Sequence, residues 1–190
     1  MSADSIWTNT LGAFRDRLGS LESVPAGVSA AAVSATLGLG LLTKVLEVAR
    51  KRKDFAGDRD LVQALLNAAR NKSQSLTQLA DEDVAAFHQY LDCLRSKQPS
   101  GAAIRKAIEV PLHVARTAAS GLALCNQAKD LIHAFVAPDL GTAAALLQAA
   151  VRSTLLTVTA NLQHLAEDDP YGAEVAAELS HISEQQKSAG

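Results

Sequence analysis

Apolar positions recur along this chain with the period of a helix. Trp7, Leu11, Phe14 and Leu18 fall at i, i+4, i+7 and i+11. That spacing predicts a first helix from about Ser5 to Leu18, ended by Gly19 and Ser20. A second helix, from about Ser29 to Ala49, is built of small residues: Ala30, Ala31, Ala32, Ser34, Ala35, Thr36, Gly38 and Gly40 keep its surface thin. Glycine costs about 1 kcal/mol against alanine inside a helix, so Gly38 and Gly40 predict close packing on a neighbour. Pro25 and Gly27 ahead of it suit a chain reversal, proline presetting φ and glycine accepting positive φ. Ser29 is placed to cap the helix. The basic run Arg50, Lys51, Arg52, Lys53 follows, and Asp54, Phe55 and Gly57 mark a loop.

From Asp58 to about Leu94 a stripe of Leu61, Leu65, Ala68, Leu76, Leu79, Asp83, Phe87, Leu91 and Leu94 predicts a third helix. Its polar middle, Asn67 and Asn71 to Gln74, allows a break. Ser96 to Gly101 reads as a loop. A fourth helix, Gly101 to about Ala134, turns Ile104, Ala107, Ile108, Pro111, Val114, Ala115, Ala118 and Leu122 inward, with a kink expected at Pro111. Pro138 and Asp139 signal the start of a fifth helix, Leu140 to Leu165, whose only full charge is Arg152. Asp169 as cap and Pro170 in the first position open a last helix to about Gln186, with the final three residues frayed. No 20–50-residue repeat interrupts this order. The expectation is an all-α, up-and-down bundle of five to six helices, one domain over residues 1–190, with the two Ala/Gly-rich helices at its centre.

Composition narrows the function. Lys+Arg 18 against Asp+Glu 20 gives a net charge of −2, and aromatics are 4% of the chain, so neither a basic field nor a stacking surface points to nucleic acid. Ser23 to Thr43 is uncharged over nearly the length a bilayer requires. Its Pro-Gly opening, Ser/Ala content and few large apolar side chains favour a buried bundle helix over a membrane span. Cys93 and Cys125 form no CxxC pair and suggest no disulfide. With the polar start MSADSIW, they lead to a reduced, cytoplasmic setting. The five histidines lack metal-ligand spacing, and Pro25 to Ser29 follows no strand as a nucleotide loop would. No metal is expected.

Several segments, read together, resemble the cyclodeaminase/cyclohydrolase family, which comprises methenyltetrahydrofolate cyclohydrolase and the cyclodeaminase domain of formiminotransferase-cyclodeaminase. The likeness runs from about Phe14 to Leu165. The family's P-G-G-G-S turn falls on Pro25-Ala26-Gly27-Val28-Ser29, its helix glycine on Gly38 and its basic segment on Arg50 to Phe55. Its D-x-D-x-x-A-F falls on Asp81 to Phe87. E-V-P-L is intact at Glu109 to Leu112, and Arg152 and Asn161 are in place. The chain departs from the pattern at Ala26, Val28, Glu47, Pro138 and Thr157, around the family's folate cleft.

The resemblance implies a dimerising helical bundle whose substrate is a tetrahydrofolate derivative, with no cofactor. Water adds to the amidinium carbon of methenyltetrahydrofolate, or N10 attacks a formimino carbon and ammonia leaves. Either reaction needs a proton acceptor, a proton donor for the departing nitrogen, and cations for the substrate's carboxylates. Asp139, Asp83 and Arg152 are the candidate catalytic residues, and Pro25, Gly27, Ser29, Lys51, Lys53 and Asn161 the candidate substrate-binding ones. Each has an ordinary alternative: Asp139 as a helix cap, Asp83 as the polar edge of its stripe, the basic run as a solvated helix end. Arg152, read as buried, would pair with Asp83, Asp139 or Glu47. The other reading of the whole chain is a bundle that has lost catalysis and serves as a binding or scaffold module.

Overall fold

Long apolar stripes with few breakers build long helices, and four of them carry this fold. The computed structural model describes residues 5–96, 101–166 and 168–188. After a 3-10 turn at Ile6–Thr8 come α1 (Leu11–Leu18), α2 (Gly27–Lys51), α3 (Arg59–Arg95) and α4 (Gly101–Ala128). A second 3-10 turn at Ala134–Val136 leads into α5 (Ala137–Leu162), followed by α6 (Pro170–Ser188). Helices α2 to α5 form an up-and-down ring in which α2 packs on α3 and α5, and α4 on the same two. Leu39, Leu42, Leu46, Leu66, Leu76, Ile108, Leu112 and Leu147 are fully buried between them, each side chain contributing about 1.5–3 kcal/mol by its removal from water.

The small residues of α2 act where the ring is tightest. A Cβ on Gly38 would lie 2.9 Å from the Ala143 carbonyl oxygen and 3.1 Å from Leu147 Cγ; on Gly121 of α4 it would lie 3.0 Å from Leu147 and 3.1 Å from Leu39. These two glycines let α2, α4 and α5 close around Leu39 and Leu147. Gly40 has no such role, being exposed with no atom within 4 Å of an added Cβ.

Other expectations change locally. The first predicted helix is two pieces. Ser5 Oγ accepts from Trp7 N at 3.3 Å and Thr10 Oγ1 from Ala13 N at 3.1 Å, so each hydroxyl opens its own short helix. Ile6 and Trp7 are tied to α3 through Asp81 Oδ1 (3.0 Å) and the Thr77 carbonyl (2.9 Å), while Leu11 faces solvent. Helix α3 runs unbroken through its polar middle, because Leu66, Ala69 and Leu76 keep one face buried. Leu61 lies outside that stripe and is exposed.

Helix α2 starts at Gly27 with no side-chain cap, so Ser29 lies inside it. The Val24–Pro25 bond is cis and no described glycine has positive φ, so Gly27 is not the left-handed residue expected. Helix α4 stops at Ala128, not Ala134, and α5 begins at Ala137. Asp169 Oδ1 accepts from Tyr171 N at 3.0 Å and caps α6 as expected. Residues 97–100 of the predicted loop and the last two residues lie outside the described residues.

Helix α2 and the segment Ala134–Leu162 are both long and apolar enough to cross a membrane. Half of the apolar window of α2 and a third of that of α5 are buried in the bundle. The two central helices thus keep an outer apolar face, including Leu37, Val48 and Leu156.

Candidate functional site

Asp83 sits on the inner face of α3, between Leu79 one turn before it and Ala86 three residues after, both buried. That register directs its carboxyl into a cavity of about 120 Å³ at the end of the bundle where α2 begins. Val24, Ala26, Gly27 and Val28 wall it from the turn, with Phe87 from α3, Ala107 from α4, and Thr157 and Asn161 from α5. Ser29, fully buried, donates its hydroxyl to Asp83 Oδ2 at 3.2 Å. Burial raises the Asp83 carboxyl to about 6, against the lowering effect of the Ser29 hydrogen bond. No ion pair reaches it among the described residues. Asp83 is therefore poised to hold or release a proton near neutral pH.

Asn161 is fixed by an absence in α4. Pro111 lies inside that helix without an N–H, so the carbonyl four residues before it, Ala107, has no helical donor. Asn161 Nδ2 donates to this carbonyl at 2.7 Å. The proline of E-V-P-L and the asparagine of α5 are thus one device, which ties α4 to α5 at the cavity wall. Pro25 is buried beside the cavity rather than lining it.

Outside the cavity, and sharing Ser23 and Val24 with it, lies a groove of about 580 Å³ bordered by Arg17, Glu22, His88, Leu91, Asp92 and Arg95. Its ion pairs are long and exposed, Arg17–Glu22 at 3.2 Å and Arg95–Asp92 at 3.4 Å, and such pairs hold their partners weakly. Phe87, Tyr90 and His164 form a ring chain along this end, with centroids 6.1 and 5.7 Å apart. Sequence reading missed Arg17, His88 and Arg95, which belong to no recognisable motif and meet only through the fold.

The remaining candidates lie at the other end of α2. Asp139 is not the cap of α5 but lies in its first turn, where it accepts from Lys44 Nζ at 2.7 Å. Lys44 is fifteen residues along α2 from Ser29, about 22 Å at the helical rise. Lys51 and Lys53 are exposed beyond it, Lys51 about 33 Å from Ser29 by the same measure. Glu47 is held by Arg50 and Arg70, both at 2.7 Å, eighteen residues along α2 from Ser29, about 27 Å at the helical rise. Arg152 is exposed on the outer face of α5 and pairs with none of Asp83, Asp139 or Glu47. The expected buried pair fails because 152 is on the side of α5 away from α2 and α4. Within one chain, then, the candidate residues form two clusters rather than one cleft. No group of three His, Cys, Asp or Glu side chains able to hold a metal occurs among the described residues.

The family model described as formiminotransferase-cyclodeaminase matches residues 10–181. A formimidoyltransferase-cyclodeaminase of Sus scrofa is 28% identical over 200 aligned residues, covering 96% of this chain and 36% of that protein. The chain thus spans about a third of that relative's length. The crystal structure of formiminotetrahydrofolate cyclodeaminase from Thermotoga maritima has the same fold, with a TM-score of 0.89 at 21% identity over 97% of this chain and 93% of that one.

Proposed function

The chain belongs to the formiminotransferase-cyclodeaminase family, and we propose that it is a folate one-carbon enzyme whose acid–base group is Asp83. One observation carries this reading: a buried carboxyl with a pKa of about 6 faces a cavity and, among the described residues, has a hydroxyl as its only hydrogen-bonded partner. As a carboxylate it takes the proton from water adding to the amidinium carbon of a methenyltetrahydrofolate. As the acid so formed it returns that proton to the departing nitrogen. In the cyclodeaminase direction the same group takes the proton that N10 loses on attacking the formimino carbon and gives it to the amino nitrogen, which leaves as ammonia. The small cavity receives the one-carbon end, and the adjoining groove receives the rest of the substrate. Arg17 and Arg95 in that groove are nearer cations for its carboxylates than Lys51 and Lys53.

The family resemblance gathers Asp139, Lys51 and Lys53 with Asp83, whereas one protomer holds them about 22–33 Å apart along α2. A homodimer across the exposed face of α2 and α5, with the copies antiparallel, would set the Asp139 end of one chain beside the Asp83 end of the other. The apolar residues left outside on both helices, Leu37, Val48 and Leu156, support that contact.

The test is loss of the methenyltetrahydrofolate chromophore and release of ammonia from formiminotetrahydrofolate, with Asp83→Asn as control. Acceleration by the native protein that the variant loses supports the reading. A native rate equal to buffer in both assays rejects it and favours a bundle that has kept the fold without the reaction. That second reading draws on the size of the cavity, about 120 Å³, below the roughly 300 Å³ at which small-molecule sites begin.

A further inference from the structure

Small residues serve two purposes in this bundle. Gly38 and Gly121 stand where an added Cβ would meet another helix at 2.9 and 3.0 Å. Ala137, Gly141 and Ala144 fall at i, i+4 and i+7 on α5, and a Cβ on Gly141 would meet no atom within 4 Å. They leave room instead. Together with Cys125 and Lys129 at the end of α4 and Ile132 from the crossing segment, they line a cavity of about 430 Å³. That volume falls within the range small-molecule sites occupy, and an apolar lining with one placed polar group is their usual chemistry.

Within one chain this cavity is separate from the Asp83 site. Cys125 is eighteen residues along α4 from Ala107, about 27 Å by the helical rise. The Cys125 thiol is buried and pushed up to about 12 by that burial, so it is a neutral, apolar wall. Lys129 is exposed and forms no ion pair among the described residues, and Asp139, the acid in the first turn of α5, is already held by Lys44.

We propose that this cavity binds a small carboxylate with an apolar body, a medium-chain or aryl carboxylic acid. The hydrocarbon rests on Ala137, Gly141, Ala144 and Cys125, and the carboxylate pairs with Lys129 at the rim. Binding here does not depend on Asp83 acting as an acid–base group.

The experiment is calorimetric titration of the full chain with octanoate, and with octylamine as the opposite charge on the same chain length. Octanoate binds saturably at one site per chain, and octylamine binds at least about tenfold more weakly. Gly141→Leu fills the space and weakens octanoate at least about tenfold, while its melting temperature stays at or above that of the native protein. Lys129→Gln, at an exposed position, weakens octanoate and removes the preference over octylamine. Amide shifts on octanoate addition centre on residues 125–144. No saturable heat at millimolar octanoate, equal affinity for Gly141→Leu, or shifts centred on Leu37 and Leu156 would each overturn the proposal, the last pointing to the outer apolar face as the binding surface.

Discussion

Replacing Asp83 by asparagine should make this protein more stable at neutral pH. The carboxyl has a pKa of about 6 in the fold, raised chiefly by burial from an ordinary value of 3.8. A raised acid contributes fully below its unfolded value, and the contribution is lost as pH climbs through the folded one. Between about pH 4 and 6 the native protein therefore gives up stability, because Asp83 is charged in a place without a countercharge. A shift of about two pH units at 1.36 kcal/mol each amounts to about 3 kcal/mol above pH 6. Asparagine keeps the acceptor for the Ser29 hydroxyl and never ionises, so it avoids this loss. Urea unfolding of both proteins from pH 4 to pH 8 checks it. The two curves should meet near pH 4 and separate to a plateau above pH 6, which for a chain of this size corresponds to about 6–12 °C in melting temperature. Other titrating groups, such as Glu47 and Asp169, lie in both proteins and cancel in the difference. Equal stability at pH 7.5, or a less stable variant, would show that Asp83 is solvated or paired in solution and refute the argument. The stabilised variant should also be the inactive one, since the strain of the charged form is what the proposed chemistry uses.

Further outcomes follow from single contacts. Asn161→Ala should cost about 1–3 kcal/mol by leaving the Ala107 carbonyl without a donor, and most of that cost should vanish in a Pro111→Ala background, where residue 111 regains its N–H; additive effects in the urea double-mutant cycle would refute the pairing. Gly40→Ala should stabilise by up to about 1 kcal/mol, while Gly38→Ala should destabilise because its Cβ meets backbone at 2.9 Å, a contrast read directly in thermal melts. Asp139→Asn removes only an exposed pair with Lys44 and should shift stability by less than about 1 kcal/mol. If the two ends meet across a dimer, the same change lowers turnover, and native activity per chain falls on dilution as the dimer dissociates; dilution-independent activity would sink that arrangement.

Architecture was legible because it depends on periodicity. The stripes of α2, α3 and α4 carry their own burial pattern, and Pro170 after Asp169 fixes a helix start by local chemistry alone. Errors arose where tertiary contacts outweigh the local signal. The polar middle of α3 stays helical because Leu66 and Leu76 bury its other face. Ile6 and Trp7 leave the helical path because α3 supplies better partners about seventy residues away. The site was legible as a set of residue types and not as a place. Nothing in the order of residues tells that Asp139 stands at the far end of α2 from Ser29; antiparallel packing decides that. Arg152 looked buried because its neighbours in sequence are apolar, yet those neighbours include an outer face.

The departures from the family pattern can be weighed by what they touch. At the Asp83 cavity the supports are hydrogen bonds, Ser29 to Asp83 and Asn161 to the carbonyl that Pro111 leaves open, and both are intact. The changed residues there, Ala26, Val28 and Thr157, line the space, and none of them donates or accepts in those bonds. Ala26 has an extended backbone with φ of −134°, so its Cβ carries no strain of the left-handed kind. What changes at the turn is volume: Val28 is buried and adds two methyl groups beyond the alanine level to a cavity already small. Under the proposed chemistry, substitutions of this type alter which one-carbon end the cavity admits while leaving Asp83 and its support in place. Val28→Gly should therefore enlarge the range of folates turned over without restoring or removing a catalytic group. Its readout is the ratio of kcat/KM between methenyl- and formimino-substrates against that of the native chain, and an unchanged ratio would mean that the turn does not shape the site.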